Sequence, residues 1–163
     1  MPTATHMTAL QMVRDEIVSL HLESIPDDHI RMIKVEHERH TAEDIWAGGV
    51  LYPGVVVLPA GQETYGEGSN TQDDIIYPCG VIIFDVDMED AVTTPDQDDL
   101  VSLYDLRLLW RQTIRDRFNK RRIDDLFCTV QFGQILDVGR WLQYGQWSSQ
   151  LIVQAQAREV VRG

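Results

Sequence analysis

Residues 81–122 constrain the fold more than any other stretch, reading as a strand, an acidic connection and a long helix. In Val81-Ile82-Ile83-Phe84-Asp85-Val86-Asp87-Met88, the two-residue period of a strand puts Ile82, Phe84, Val86 and Met88 on one face. Asp85 and Asp87 fall on the other. From about Asp99 to Arg122, the residues Leu100, Leu103, Leu106, Trp110, Ile114 and Phe118 recur at three- and four-residue steps and form one apolar helical stripe. Laying that stripe on the apolar strand face buries both surfaces.

The flanking sequence supplies the remaining elements. A first helix is expected from about Thr8 to Glu23, with Leu10, Val13, Ile17, Leu20 and His21 on one face and Pro26 as its stop. Segment 29–36 is compatible with a strand, and 41–44 resembles a helix cap. After the turn Tyr52-Pro53-Gly54, residues 55–58 form a short apolar strand. Further strands are expected at 126–132 and 149–159, with an irregular connection over 133–147. The polar stretch 60–74 carries Gly61, Gly66, Gly68, Ser69 and Asn70 and reads as a projecting arm rather than a tight hairpin. Glu63, Tyr65, Gly66 and Asn70 are its candidate partner contacts. The expected architecture is α+β: one domain over 1–163, a mostly antiparallel sheet of about four to five strands packed against two helices, and a long projecting loop.

Composition narrows the function classes. At 163 residues, with 44% apolar and 25% charged residues, the chain can bury a real core. Its formal net charge of −12 argues against gripping nucleic acid over the whole surface, because phosphate contacts need Lys and Arg. It does not argue against a passage for DNA, which should not hold what moves through it. Cys79 and Cys128 lack CxxC spacing and read as small buried hydrophobes in a reducing compartment. Residues 1–6 lack the basic start and apolar run of a signal peptide. No segment approaches the ~20 apolar residues of a membrane span. Synthesis and folding in a cytoplasm are expected.

Asp85 and Asp87, followed by Glu89 and Asp90, form the sharpest local pattern. Two carboxylates on one strand face could hold Mg²⁺ or Mn²⁺ in a nuclease-like or transferase-like enzyme. Strand alternation alone also explains the spacing, and a third ligand and a base would still be needed. His29, His37 and His40 lack HExxH spacing, and no phosphate-binding lysine loop or nucleophile–His–acid spacing is present. No catalytic residue, metal ligand or cofactor is therefore assigned. The long helix carries Arg107, Arg111, Arg115 and Arg122 along one flank of its stripe, preceded in the chain by Asp85, Asp87, Asp96 and neighbouring acids. That segregation favours a solvated flank, or a row meeting the acidic segment of a neighbouring copy, over contact with DNA. Val101, Leu108 and Leu109 give the helix a second apolar surface of the kind that often marks an interface.

The order of elements resembles the tail terminator proteins of tailed bacteriophages and related small proteins of the phage neck. The resemblance rests on Pro53-Gly54-Val55-Val56-Val57, on 81–87, on the helix 100–122 and on the strand 151–159. Segments 24–54 and 133–148 depart from that plan. The resemblance implies a non-enzymatic virion protein without cofactors, located at the neck or tail end. It implies a ring of identical subunits, commonly six, that joins the tail tube to head completion proteins and lets DNA pass without specific binding. On this reading Arg107, Arg111, Arg115, Asp85, Asp87 and Asp96 are subunit-interface residues.

Overall fold

The computed structural model describes residues 6–32, 53–69, 72–86, 97–137 and 146–160. Two helices, α1 (His6–Ser19) and α2 (Gln97–Phe118), pack on one face of a mixed sheet. The α+β architecture expected from the sequence is present. The described residues contain seven strands, more than the four to five expected. These are β1 (Ile30–Met32), β2 (Gly54–Pro59), β3 (Thr64–Ser69), β4 (Gln72–Val86), β5 (Arg121–Ile123), β6 (Leu126–Gln134) and β7 (Gln146–Val160). The order is β1-β2-β4-β7-β6-β5, with β3 also beside β4. Among the described strands, only β1 and β2 pair in parallel.

The spine is β4 against β7, each of 15 residues and paired from Gln72↔Val160 to Val86↔Gln146. On β4 the residues facing the helices are Ile75, Tyr77, Cys79, Val81 and Ile83, all in the core cluster. This corrects the phase read from the sequence, in which Ile82 and Phe84 faced the helix. The segment is apolar on both faces, so its periodicity does not choose between them. On the far face, Phe84 and Val56 are also buried, and β2 pairs Val56 with Ile82.

Segment 60–74 is a second correction. β2 pairs with residues 79–84 of β4 and β3 with 72–76, so both lie in turn along one edge of the same strand. The glycine-rich stretch mostly continues the sheet as a β-hairpin instead of standing off it as an arm. Pairing is interrupted around Gly61, whose φ of 76° is open to glycine without strain. There the Ala60 N–H donates to the Pro78 carbonyl at 3.3 Å. N–H and C=O of one strand residue point the same way, so the donor that Pro78 lacks is missing at the interruption and not from the β7 ladder.

Helix α2 stops at Phe118, short of the expected Arg122. The Asn119 N–H closes the last turn on the Arg115 carbonyl at 2.8 Å, and Lys120 turns left-handed (φ 57°). The chain then enters β5, so Arg121 and Arg122 belong to a strand. A tight turn through Asp124 (φ 51°) and Asp125 leads into β6. Of the expected stripe, Trp110, Ile114 and Phe118 are buried and Leu106 packs against the core, while the side chains of Leu100 and Leu103 lie outside those described. Trp110 also donates Nε1–H to the Glu23 carbonyl at 2.7 Å, tying α2 to the turn after α1. Among the described residues no helix is long and apolar enough to cross a membrane.

Candidate interaction surfaces

The arginine flank of α2 divides into three environments. Arg107 is 4% exposed, although arginine is seldom buried unless it is paired. Its partner is Asp85 of the same chain, with Nε to Oδ2 at 2.9 Å. Asp85 has the same parity as Val81 and Ile83 and thus lies on the helix-covered side of β4. The Arg107 guanidinium also lies over the ring of Trp147, 5.7 Å from its centroid, and Trp147 stands opposite Asp85 in the ladder. The Trp147 Nε1–H is buried without a hydrogen-bond acceptor among the described residues.

Arg111 is half-buried and seats its guanidinium at the β6–β7 ladder. Its Nη1 donates to the Gln134 carbonyl at 3.1 Å, the Ser149 hydroxyl at 2.7 Å and the Gln150 carbonyl at 2.9 Å. Ser149, fully buried, donates its own hydroxyl in a hydrogen bond to the Gln134 carbonyl at 3.2 Å. Nη2 occupies the space that a Cβ at Gly133 would need. Burial, and secondarily the neighbouring Arg115, lower the Arg111 pKa from its ordinary value. Arg115 is exposed and pairs with the adjacent Asp116 at 3.2 Å. Further along, Arg117 bridges to Glu16 of α1 at 2.7 Å.

The row expected to meet a neighbouring copy is therefore largely spent inside the chain. Arg107 and Asp85 satisfy each other, and Arg111 satisfies backbone carbonyls. The physical reason is the strand phase: with Asp85 turned toward α2, the helix must bring a cation to it. Arg115 keeps the outward position. Asp87 and Asp96 lie outside the described residues. The Asp85–Asp87 metal centre would have to displace Arg107 from its first ligand. Among the described residues no three His, Cys, Asp or Glu side chains group to hold an ion.

In the hairpin, Tyr65 and Gly66 stand opposite Ile75 and Asp74, and Asn70 lies outside the described residues. Glu63 is exposed and sits 3.5 Å from His6 Nδ1. The His6 ring stacks on Tyr77 at 5.5 Å and makes a 2.9 Å contact from Nε2 to the Pro78 carbonyl oxygen. The start of α1 thus grips the hairpin base, a contact that sequence reading missed because position 6 precedes the expected helix start.

A concavity of about 390 Å³ opens on the helix-free face and is lined by Asp74, Arg122, Asp125, Phe127, Gln156 and Ala157. The pairings Arg122↔Phe127 and Phe127↔Gln156 make its floor one cross-strand row. Cys79 and Cys128 are buried in the core with their thiols pushed up to about 12 and about 11, chiefly by burial. They face β7 from opposite sides, at Val153 and Ala155. Two strand spacings, about 9–10 Å, exceed the reach of a disulfide.

Compared with models of known protein families and with curated proteins, the chain matches none.

Proposed function

We propose that this chain is a structural subunit of a phage neck or tail end, a ring-forming tail terminator or a close relative. The observation that carries the reading is the order of elements. A valine-rich strand after Pro53-Gly54 runs into a long hairpin, an arginine-bearing helix crosses the sheet, and a long final strand pairs with the hairpin. The net charge of −12 suits a conduit that does not hold DNA. Subunit contacts would draw on Arg115 and the outer side of α2, where Leu109 is exposed. The hairpin with Glu63, Tyr65 and Gly66 would face the tube or the head completion proteins. A closed ring repeats each weak contact, so exposed pairs worth ~0–1 kcal/mol apiece still set register.

The test is native mass spectrometry with negative-stain microscopy of the purified protein, alone and mixed with isolated tail tubes. Closed rings, or rings seated on tube ends, are expected, and Arg115→Glu should weaken them without unfolding the chain. A monomer in both settings overturns the reading.

A further inference from the structure

We propose that the open edge of β6 is a docking site for an extended acidic segment of a partner protein, which adds to the sheet as a further strand. The site is independent of the ring reading. β5 pairs only with residues 126–128, whereas β6 continues to Gln134. Among the described residues no strand pairs with the outer side of β6 past Cys128. Gln131, Gly133, Gln134 and Ile135 are exposed there. The Val130 N–H points out of this edge, where its acceptor is the Asn119 side chain at a long 3.4 Å. A strand laid alongside offers it a backbone carbonyl instead.

Charge decides the occupant. Arg111 meets Gly133 and Gln134, and Asn119 meets Val130, so Arg115, one turn from each, overlies the same edge. Lys120 and Arg121 border it from the end of β5 beside Cys128. Arg115 is paired with Asp116, but Arg111, Lys120 and Arg121 have no carboxylate partner among the described residues. Asp124 and Asp125 sit past the opposite end of β5. Unpaired cations thus gather at this edge in a chain whose formal net charge is −12. Gln131, skipped in the β7 pairing, forms a bulge, and bulge and cations together defend the edge against most strands. A strand carrying Asp or Glu at its helix-side positions turns the second defence into attraction.

The probe is an acetylated, amidated hexapeptide alternating Asp and Val, titrated into the isotope-labelled full chain and followed by two-dimensional NMR. The comparators are a Lys–Val hexapeptide and two N-methylated forms of the Asp–Val peptide, one blocked at every Asp amide and the other at every Val amide. Saturable shifts at Val130, Gln131 and Gly133 are expected, with the Lys–Val peptide at least about tenfold weaker. In an added strand alternate amides face β6. One N-methylated form should therefore lose about tenfold, while the other binds like the parent peptide. Lys120→Asn combined with Arg121→Glu, both at exposed positions, should weaken binding several-fold, and added salt should do the same. The same spectra report whether the double variant keeps the parent fold. Equal affinity for the Asp–Val and Lys–Val peptides overturns the proposal, as does unchanged affinity in the folded double variant. Two N-methylated forms that bind alike overturn it too, because the contact is then not a strand. So does the absence of saturable shifts along the edge.

Discussion

Helix α2 is attached to the sheet by two chemistries. Along its stripe, Trp110, Ile114 and Phe118 are held by volume, packed into the core over β5, β6 and β7. Along its flank, Arg107 and Arg111 are held by partners: a carboxylate and an aromatic ring for one, carbonyls and a hydroxyl for the other. The stripe tolerates exchange among apolar shapes and punishes lost volume. The flank tolerates joint replacement of both partners and punishes the loss of one. The difference also separates what a helix needs in order to bind a sheet from what it needs to bind it at one position. Apolar stripes can slide, whereas Arg107 reaches Asp85 in only one register.

The largest effect should come from the stripe. Trp110→Ala leaves a cavity and strands the Glu23 carbonyl, costing about 3–5 kcal/mol in denaturant unfolding. A loss below ~1 kcal/mol would remove Trp110 from the core and break the comparison. Next, Asp85→Ala takes the carboxylate away from the buried Arg107 guanidinium, at a cost of about 3 kcal/mol. The double variant Asp85→Leu with Arg107→Met should cost less than the sum of its single changes. Strict additivity would show that the two side chains do not act as a pair.

Much of the stripe was legible in the sequence because a 3.6-residue period has one solution. The phase of β4 was not, because 81–84 is an unbroken apolar run whose two faces are both buried in the fold. That single-residue slip turned Asp85 outward on paper. It made the Asp85 and Asp87 pair look like a surface motif and the arginines look free for another subunit. The signal that was available is the i, i+3 spacing of Arg107 and Trp110, which puts the arginine beside the buried stripe. The hairpin was hidden for another reason. Gly61, Gly66 and Gly68 lower strand propensity, while backbone pairing with β4 is indifferent to side chains. The helix overran into β5 because nothing in Asn119-Lys120-Arg121 announces a left-handed turn. The groove on the helix-free face depends on cross-strand register, which no local pattern encodes.

Two smaller effects sharpen the picture. Gly133→Ala puts a methyl where Arg111 Nη2 lies and 2.9 Å from Leu151 Cδ2, costing about 1–3 kcal/mol by overpacking. Arg111→Met in that background should recover part of the loss in thermal unfolding. Equal destabilisation with and without Arg111 would mean the ladder, not the guanidinium, excludes the side chain.

The smallest effect concerns the thiols, and it vanishes at neutral pH. Their folded pKa values lie above the unfolded value of 9.0. The folded state therefore keeps protons that the unfolded chain releases. Stability should fall as pH rises above about 9, by at most ~1.4 kcal/mol per pH unit per thiol. Neither thiol should react with iodoacetamide in the folded protein at pH 8, and both should react in urea. Ready labelling of the folded chain would place one of them outside the core.

The full-length pairing of β4 with β7 has a consequence on the ribosome. Both helices and the whole hairpin are synthesised before residue 146, yet the strand that occupies the middle of the sheet comes after them. Until it emerges, the nascent chain holds β4 with one long flank unpaired and β6 without its inner neighbour. Such a chain cannot close its sheet piecemeal. The final strand must insert between two waiting edges, spanning contacts far apart in the chain, a late and slow event by the physics of loop closure. Translation stalled before residue 146 should therefore yield an aggregation-prone product that only the last strand rescues.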